Sequence, residues 1–162
     1  MTTTTAPLDD VLSEGDVVML ASADDQGTTR PTLSARPLTC VDIEGDSATF
    51  LVSSDAEWVG NLESAGGDGR VVLTRDHGGR YVALSGRASL SADSARVSGY
   101  WSRLGEAYFD GPDDPRVRIL DVELEGGEWW EAPTSGLGTL MSMVGTVVLG
   151  RPVPRGEHGE IA

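Results

Sequence analysis

Short apolar runs of strand length, each closed by a turn carrying glycine or aspartate, recur from Val17 to Trp130 and constrain this chain more than any other feature. Val17-Val18-Met19-Leu20-Ala21-Ser22 is the first, and Asp24-Asp25-Gln26-Gly27 supplies a hairpin turn after it. Pro31 to Ile43 has extended character, and Pro37, which cannot donate to a ladder, predicts an edge or a bulge there. Ala48–Ser53 follows across the turn Glu44-Gly45-Asp46. Arg70–Thr74 and Tyr81–Leu90 flank the turn His77-Gly78-Gly79, and Val82, Leu84, Gly86 and Ala88 share one face of the second run. Arg116–Glu125 alternates with period two, so at least one face is buried; Gly126-Gly127 is expected to turn it into a short strand around Trp129 and Trp130.

Helical spacing occurs before, between or after these runs, never within them. Leu8–Ser13 is a short helix candidate. Asp55 is the expected N-cap of a helix through Trp58, Val59 and Leu62, ended by Gly66, Gly67 and Gly69. Ser91–Leu104 reads as one helix, and Leu137–Leu149 as a last one on Leu137, Leu140, Met141, Val144 and Val148. About six short strands joined by hairpins, with helices inserted or appended, specify a mainly β fold, an antiparallel barrel and not a doubly wound sheet. A small barrel is filled by its own side chains, so a ligand sits outside it or at a subunit seam. The 162 residues suit one core. Residues 8–150 are read as the domain, between a threonine-rich tail (1–7) and a loose Pro- and Gly-rich tail (151–162).

Composition removes several function classes. Twelve basic against 26 acidic residues give a net charge of −14, which repels a phosphate backbone and an anionic membrane, so neither nucleic acid nor membrane is an expected partner. All basic residues are arginine; without lysine there is no Schiff base and no Walker motif. Cys40 stands alone, which excludes an intrachain disulfide or thiolate cluster and fits a reducing cytoplasm. His77 and His158 lack ligand spacing, so no metal is expected. Residues 1–7 carry neither positive charge nor an apolar run, unlike a signal peptide, and no stretch has the apolar length to span a bilayer. Gly136-Leu137-Gly138 lacks the later glycine of a dinucleotide loop, and no Gly-x-Ser-x-Gly elbow occurs. Asp113 and Asp114 are read as structural, because adjacent side chains point apart.

Taken in order, the segments Ala35-Arg36-Pro37-Leu38-Thr39, Val52-Ser53-Ser54, Tyr81 to Ala88, Tyr108 to Arg116 and Glu128 to Pro133 make the chain resemble the FMN-binding split barrels, the superfamily of pyridoxamine phosphate oxidase, and within it the general stress proteins. The resemblance implies a six-stranded antiparallel split barrel, a homodimer, and FMN in a groove at the seam. It implies Arg36 as a cation for the phosphate, with Pro37, Leu38 and Thr39 along the ring, and Val52, Ser53 and Ser54 at the strand end that offers hydroxyl donors. Tyr81 would line the ring edge, and Trp130 would reach the flavin from the other subunit, with Trp129 the weaker choice. Each also has a purely structural alternative: a solvated strand arginine, a helix cap, a packed rim tryptophan.

One departure is local. Flavin-binding members of that superfamily usually place a serine and a basic pair ending in lysine in the first helical turn after the third strand, where this chain has Glu57, Trp58 and Val59. A carboxylate beside a phosphate is repulsive by about 1 kcal/mol per charge pair at ~4 Å in water, and several times that when shielded. Arg75, Arg80 and Arg87 are candidates for replacement charge. The expected function is an FMN- or deazaflavin-dependent oxidoreductase of a small molecule, in which the cofactor carries the redox chemistry. The alternatives are a non-catalytic flavin- or ligand-binding stress protein, and a split barrel that has lost FMN and uses the seam pocket for another ligand or a cofactor-free reaction.

Overall fold

A computed structural model describes residues 11–24, 32–101, 103–131 and 158–161. Six long strands run antiparallel: β1 (Val17–Asp24), β2 (Thr32–Glu44), β3 (Ser47–Ser53), β4 (Asp68–His77), β5 (Arg80–Ser91) and β6 (Val117–Glu131). Their order is β3-β2-β1-β4-β5-β6, and β3 also pairs with β6, which closes the sheet into a barrel. A short β7 (His158–Ile161) adds to β6 through Gly127–Trp130, so this part of the expected loose tail is a paired strand. Three short helices lie outside the ring: α1 (Glu57–Ser64), α2 (Ser94–Tyr100) and α3 (Arg103–Tyr108).

The closure is partial, and the reason lies in β2. Its residues from Cys40 onward pair with β3, whereas Thr32–Thr39 pair with β1 alone and leave one edge open. Pro37 sits on that open edge, opposite Met19, where a missing N–H costs nothing to the ladder. The irregularity in β2 falls instead between Cys40 and Asp42. Leu20, Phe50, Leu73, Leu84, Ala88, Leu120 and Val122 fill the interior, each almost wholly buried. Val97 of α2 covers Val117 and Ile119 on the outside, so β6 is apolar on both faces in its first half.

Several local expectations change under tertiary contact. Val11–Ser13 are not helical; Val11 and Leu12 instead plug the core, and the guanidinium of Arg75 holds the segment through the Val11 carbonyl and the Asp16 carboxylate. The N-cap of α1 is Ala56, with no side-chain cap, and Asp55 is one residue early. Gly66 and Gly67 do end this helix, with positive φ and N–H bonds to Glu63 and Leu62 carbonyls, but Gly69 belongs to β4. The stretch Ser91–Leu104 is two helices and not one, because the backbone turns extended at Trp101 (φ −65°, ψ 123°). Gly126-Gly127 makes no turn: β6 runs through both, close-packed against β5. The turn residues 25–27 and the helix Leu137–Leu149 lie outside the described residues. Among the described residues no helix is long and apolar enough to cross a membrane.

Candidate functional site

A groove of about 400 Å³ runs along the open edge of β2. Arg36, Pro37, Leu38, Thr39 and Val41 form its floor, the β3 end (Leu51, Val52, Ser53) one side, Ala56 and Trp58 a second, and Gly105, Tyr108 and Phe109 the last. Every element that meets here is placed by a feature already described. The unpaired half of β2 supplies the edge, Ser53 ends β3, and the break at Trp101 lets α3 turn across the groove. Phe109 is braced from behind by Trp101, with ring centroids 6.4 Å apart, and Gly105 admits the same indole, since a Cβ there would stand 3.0 Å from it.

Arg36 shares the inward face of β2 with Leu38, opposite Leu20. Its Nη1 donates to Ser22 Oγ at 2.8 Å and its Nη2 to Ser34 Oγ. The guanidinium carbon lies 4.5 Å from the centroid of the Trp58 ring, a cation–π stack. Ser53 Oγ accepts from the Asp55 N–H at 3.2 Å, and the Ser54 N–H donates to the Arg116 carbonyl at 2.8 Å, outside the groove. Arg116 in turn is held by Asp114 (2.6 Å) and Asp110 (3.0 Å), with Asp55 at 3.8 Å. Hydrogen bonds from the Arg116 side chain and backbone hold the Asp114 carboxyl well below the usual carboxylate range. That carboxylate knits the loop through Arg116 and the Asp110 N–H.

Seven expected site residues therefore meet in one groove: Arg36, Pro37, Leu38, Thr39, Val52, Ser53 and Trp58. Four do not line it. Ser54 is tied to the Asp-rich loop; Glu57 opens α1 with its side chain exposed. Tyr81 and Trp130 are direct cross-strand neighbours on β5 and β6, both exposed, on the outward side of the sheet. Trp129 faces inward and is buried, with the Arg80 guanidinium 4.9 Å from its ring. None of the three candidate replacement cations reaches the groove: Arg75 pairs with Asp16, Arg80 with Trp129 and Glu131, Arg87 with Asp68. Tyr108 and Phe109, quoted in sequence only within the family-like segment Tyr108 to Arg116, are the aromatic wall that sequence reasoning missed. The break at Trp101 that aims them has no local signal, since no proline or left-handed glycine marks it.

The lining is chiefly apolar and aromatic with a few polar groups, which suits a planar ring. Among the described residues its one charged group is Arg36. A larger depression of about 620 Å³ lies among β2, β3, β5, β6 and α2, but half its lining residues are carboxylates, against Arg87 and Arg96. That composition disfavours both an apolar ring and an anion.

The outward face of the sheet beside the groove is uncharged over a wide area. Cross-strand partners share a face, so the registers Val17↔Thr39, Met19↔Pro37, Ala21↔Ala35, Ala23↔Leu33 and Ala21↔Val72 define one continuous patch. Leu33 is 83% exposed and Val17 58%, values high enough to mark a surface and not a core margin. Pro37 and Thr39 belong both to this patch and to the groove.

Among solved structures, the general stress FMN/FAD binding protein of Xanthomonas citri shares 25% identity, with 75% of this chain and 83% of that one covered at a TM-score of 0.59. A Clostridium acetobutylicum protein related to general stress protein 26, of the pyridoxinephosphate oxidase family, shares 19% over 74% and 80% (TM-score 0.58). A pyridoxamine 5'-phosphate oxidase-related, FMN binding protein of Nostoc punctiforme shares 12% over 76% and 78% (TM-score 0.50). No curated protein matches the chain. The family model described as pyridoxamine 5'-phosphate oxidase like matches residues 4–153, nearly the whole length. With its split barrel and edge groove, this chain belongs to the pyridoxamine 5'-phosphate oxidase-like family.

Proposed function

We propose that the protein is a homodimeric flavin-binding oxidoreductase of a small molecule, with the flavin ring in the β2 groove. The observation that carries this reading is the continuity of groove and patch: Pro37 and Thr39 lie on both. A second copy covering the uncharged face would also wall the groove, and exposed apolar strands on a chain of net charge −14 are best covered where no charges meet. Family membership and the FMN-binding relatives named above support the choice of flavin.

A bound flavin supplies the electron or hydride transfer, and the chain supplies position and field. Arg36 and Trp58 form one end of the slot, Leu38 and Val52 its apolar bed, and Tyr108 with Phe109 its aromatic wall on the other side. Thr39 and Ser53 bring hydroxyls to its margin. Tyr81 and Trp130 stand outward on the same sheet face as Val72, where a partner chain would meet them. A reducing cytoplasm is the proposed compartment, supported by the single buried thiol of Cys40.

Fluorescence quenching of FMN or riboflavin by purified protein tests the site, and light scattering at micromolar concentration tests the dimer. Binding with twice the chain mass is expected; a monomer that quenches neither flavin would refute the reading. Turnover with reduced nicotinamide then separates an oxidoreductase from a flavin-storing protein.

A further inference from the structure

We propose that the groove selects the ring of a flavin and discriminates against a terminal phosphate, so that its preferred occupant is an unphosphorylated isoalloxazine of the riboflavin class. The proposal rests on the flavin reading and concerns which flavin.

Charge placement around the groove decides which flavin it accepts. A phosphomonoester carries about −1.5 to −2 near neutral pH and needs several donors or cations around it. Among the described residues the groove lining holds one cation, Arg36, already stacked on Trp58 and donating to the hydroxyls of Ser22 and Ser34. The next cation beyond the β3 end, Arg116, stands among Asp110, Asp114 and Asp55, three carboxylates to one guanidinium. Glu57 opens α1, and Asp55 precedes its N-cap, so the partial positive charge of the helix start already has two carboxylates beside it. Trp58 lines the groove where family members place a basic residue, with its ring stacked on Arg36. Against this stand the apolar bed and aromatic walls, which favour a ring and are indifferent to a phosphate.

Repulsion and attraction respond oppositely to salt, which makes the test a matter of sign. Full-length protein is titrated with riboflavin and with FMN at about 0.05 M and about 0.5 M salt, across which the Debye length shrinks severalfold. Riboflavin is expected to bind at least as tightly as FMN, and FMN binding is expected to tighten as salt rises while riboflavin changes little. Glu57→Lys is expected to tighten FMN by about threefold or more, from a like-charge to an opposite-charge neighbour, and to leave riboflavin unchanged. FMN binding about tenfold tighter than riboflavin and weakened by salt would overturn the proposal while leaving the flavin reading intact. Absence of binding by both flavins would overturn both.

Discussion

Replacing Gly127 with alanine should destabilise the barrel sharply, and the size of the effect follows from one contact. A Cβ at this position would stand 2.4 Å from the Ala83 carbonyl oxygen, 2.7 Å from Leu84 Cδ2 and 3.1 Å from Leu84 Cα. Ordinary C···O approaches between strands are about 3.3 Å, so β5 and β6 must separate by nearly 1 Å at their crossing. Two of the three atoms are backbone, which leaves no rotamer to swing away. Overpacking of this kind costs about 1–3 kcal/mol, and a strained ladder bond adds about 1 kcal/mol, for a total of about 2–4 kcal/mol. In a domain of this length that is a drop in Tm of roughly 5–15 °C. Gly60, inside α1, has nothing within 4 Å of its would-be Cβ. Alanine there should stabilise by about 0.5–1 kcal/mol, through helix propensity alone. Thermal melts of both variants, followed by circular dichroism, give opposite signs if the reasoning holds. A Gly127→Ala protein that melts within about 2 °C of the parent would refute the packing argument.

Further outcomes follow from individual groups. If Trp130 meets a flavin from the partner chain, Trp130→Ala should weaken flavin binding by about 1 kcal/mol, roughly fivefold, with the dimer intact; equal affinity in a titration would assign the residue to packing. Burial alone would raise the pKa of Asp121, but hydrogen bonds from Arg96 (2.8 Å to each oxygen) and Thr49 outweigh it and hold the carboxyl low. A depressed carboxylate stabilises above its unfolded pKa and loses that contribution as pH falls, so Asp121→Asn should cost about 1 kcal/mol at pH 7, discounted because Arg96 is 37% exposed, with the gap closing below about pH 4 in urea melts. Burial pushes the Cys40 thiol up to about 11, so it should resist a thiol reagent at pH 8 in the native protein and react at once in denaturant.

How much of this was legible in the chain depends on how local each cause is. Strand positions were, because period-two burial and turn glycines act within a few residues: Gly78 and Gly79 have the positive φ that their hairpin requires. The expectation of an edge at Pro37 needed only the missing N–H. The six groove residues of β2 and β3 were legible through their family motifs, Trp58 only through its helical spacing and its departure from the family pattern, and their neighbours in sequence stay neighbours in space. Gly126-Gly127, by contrast, has turn composition and sits mid-strand; only the approach of β5, which leaves no room for a side chain, shows why glycine is there. Alternation places either Trp129 or Trp130 inside; β5 and the core decide that Trp129 is the buried one. The same holds for Tyr108 and Phe109, brought to the groove by a helix break at Trp101 that rests on packing against Val117, Ile119 and Leu51. The pairing of Arg75 with Asp16 spans 59 residues and has no trace in either segment. Composition and periodicity thus determined the class of fold and its strands, while the cations' partners, the aromatic wall and the open edge were decided by contacts between residues far apart in sequence, which local propensity does not encode.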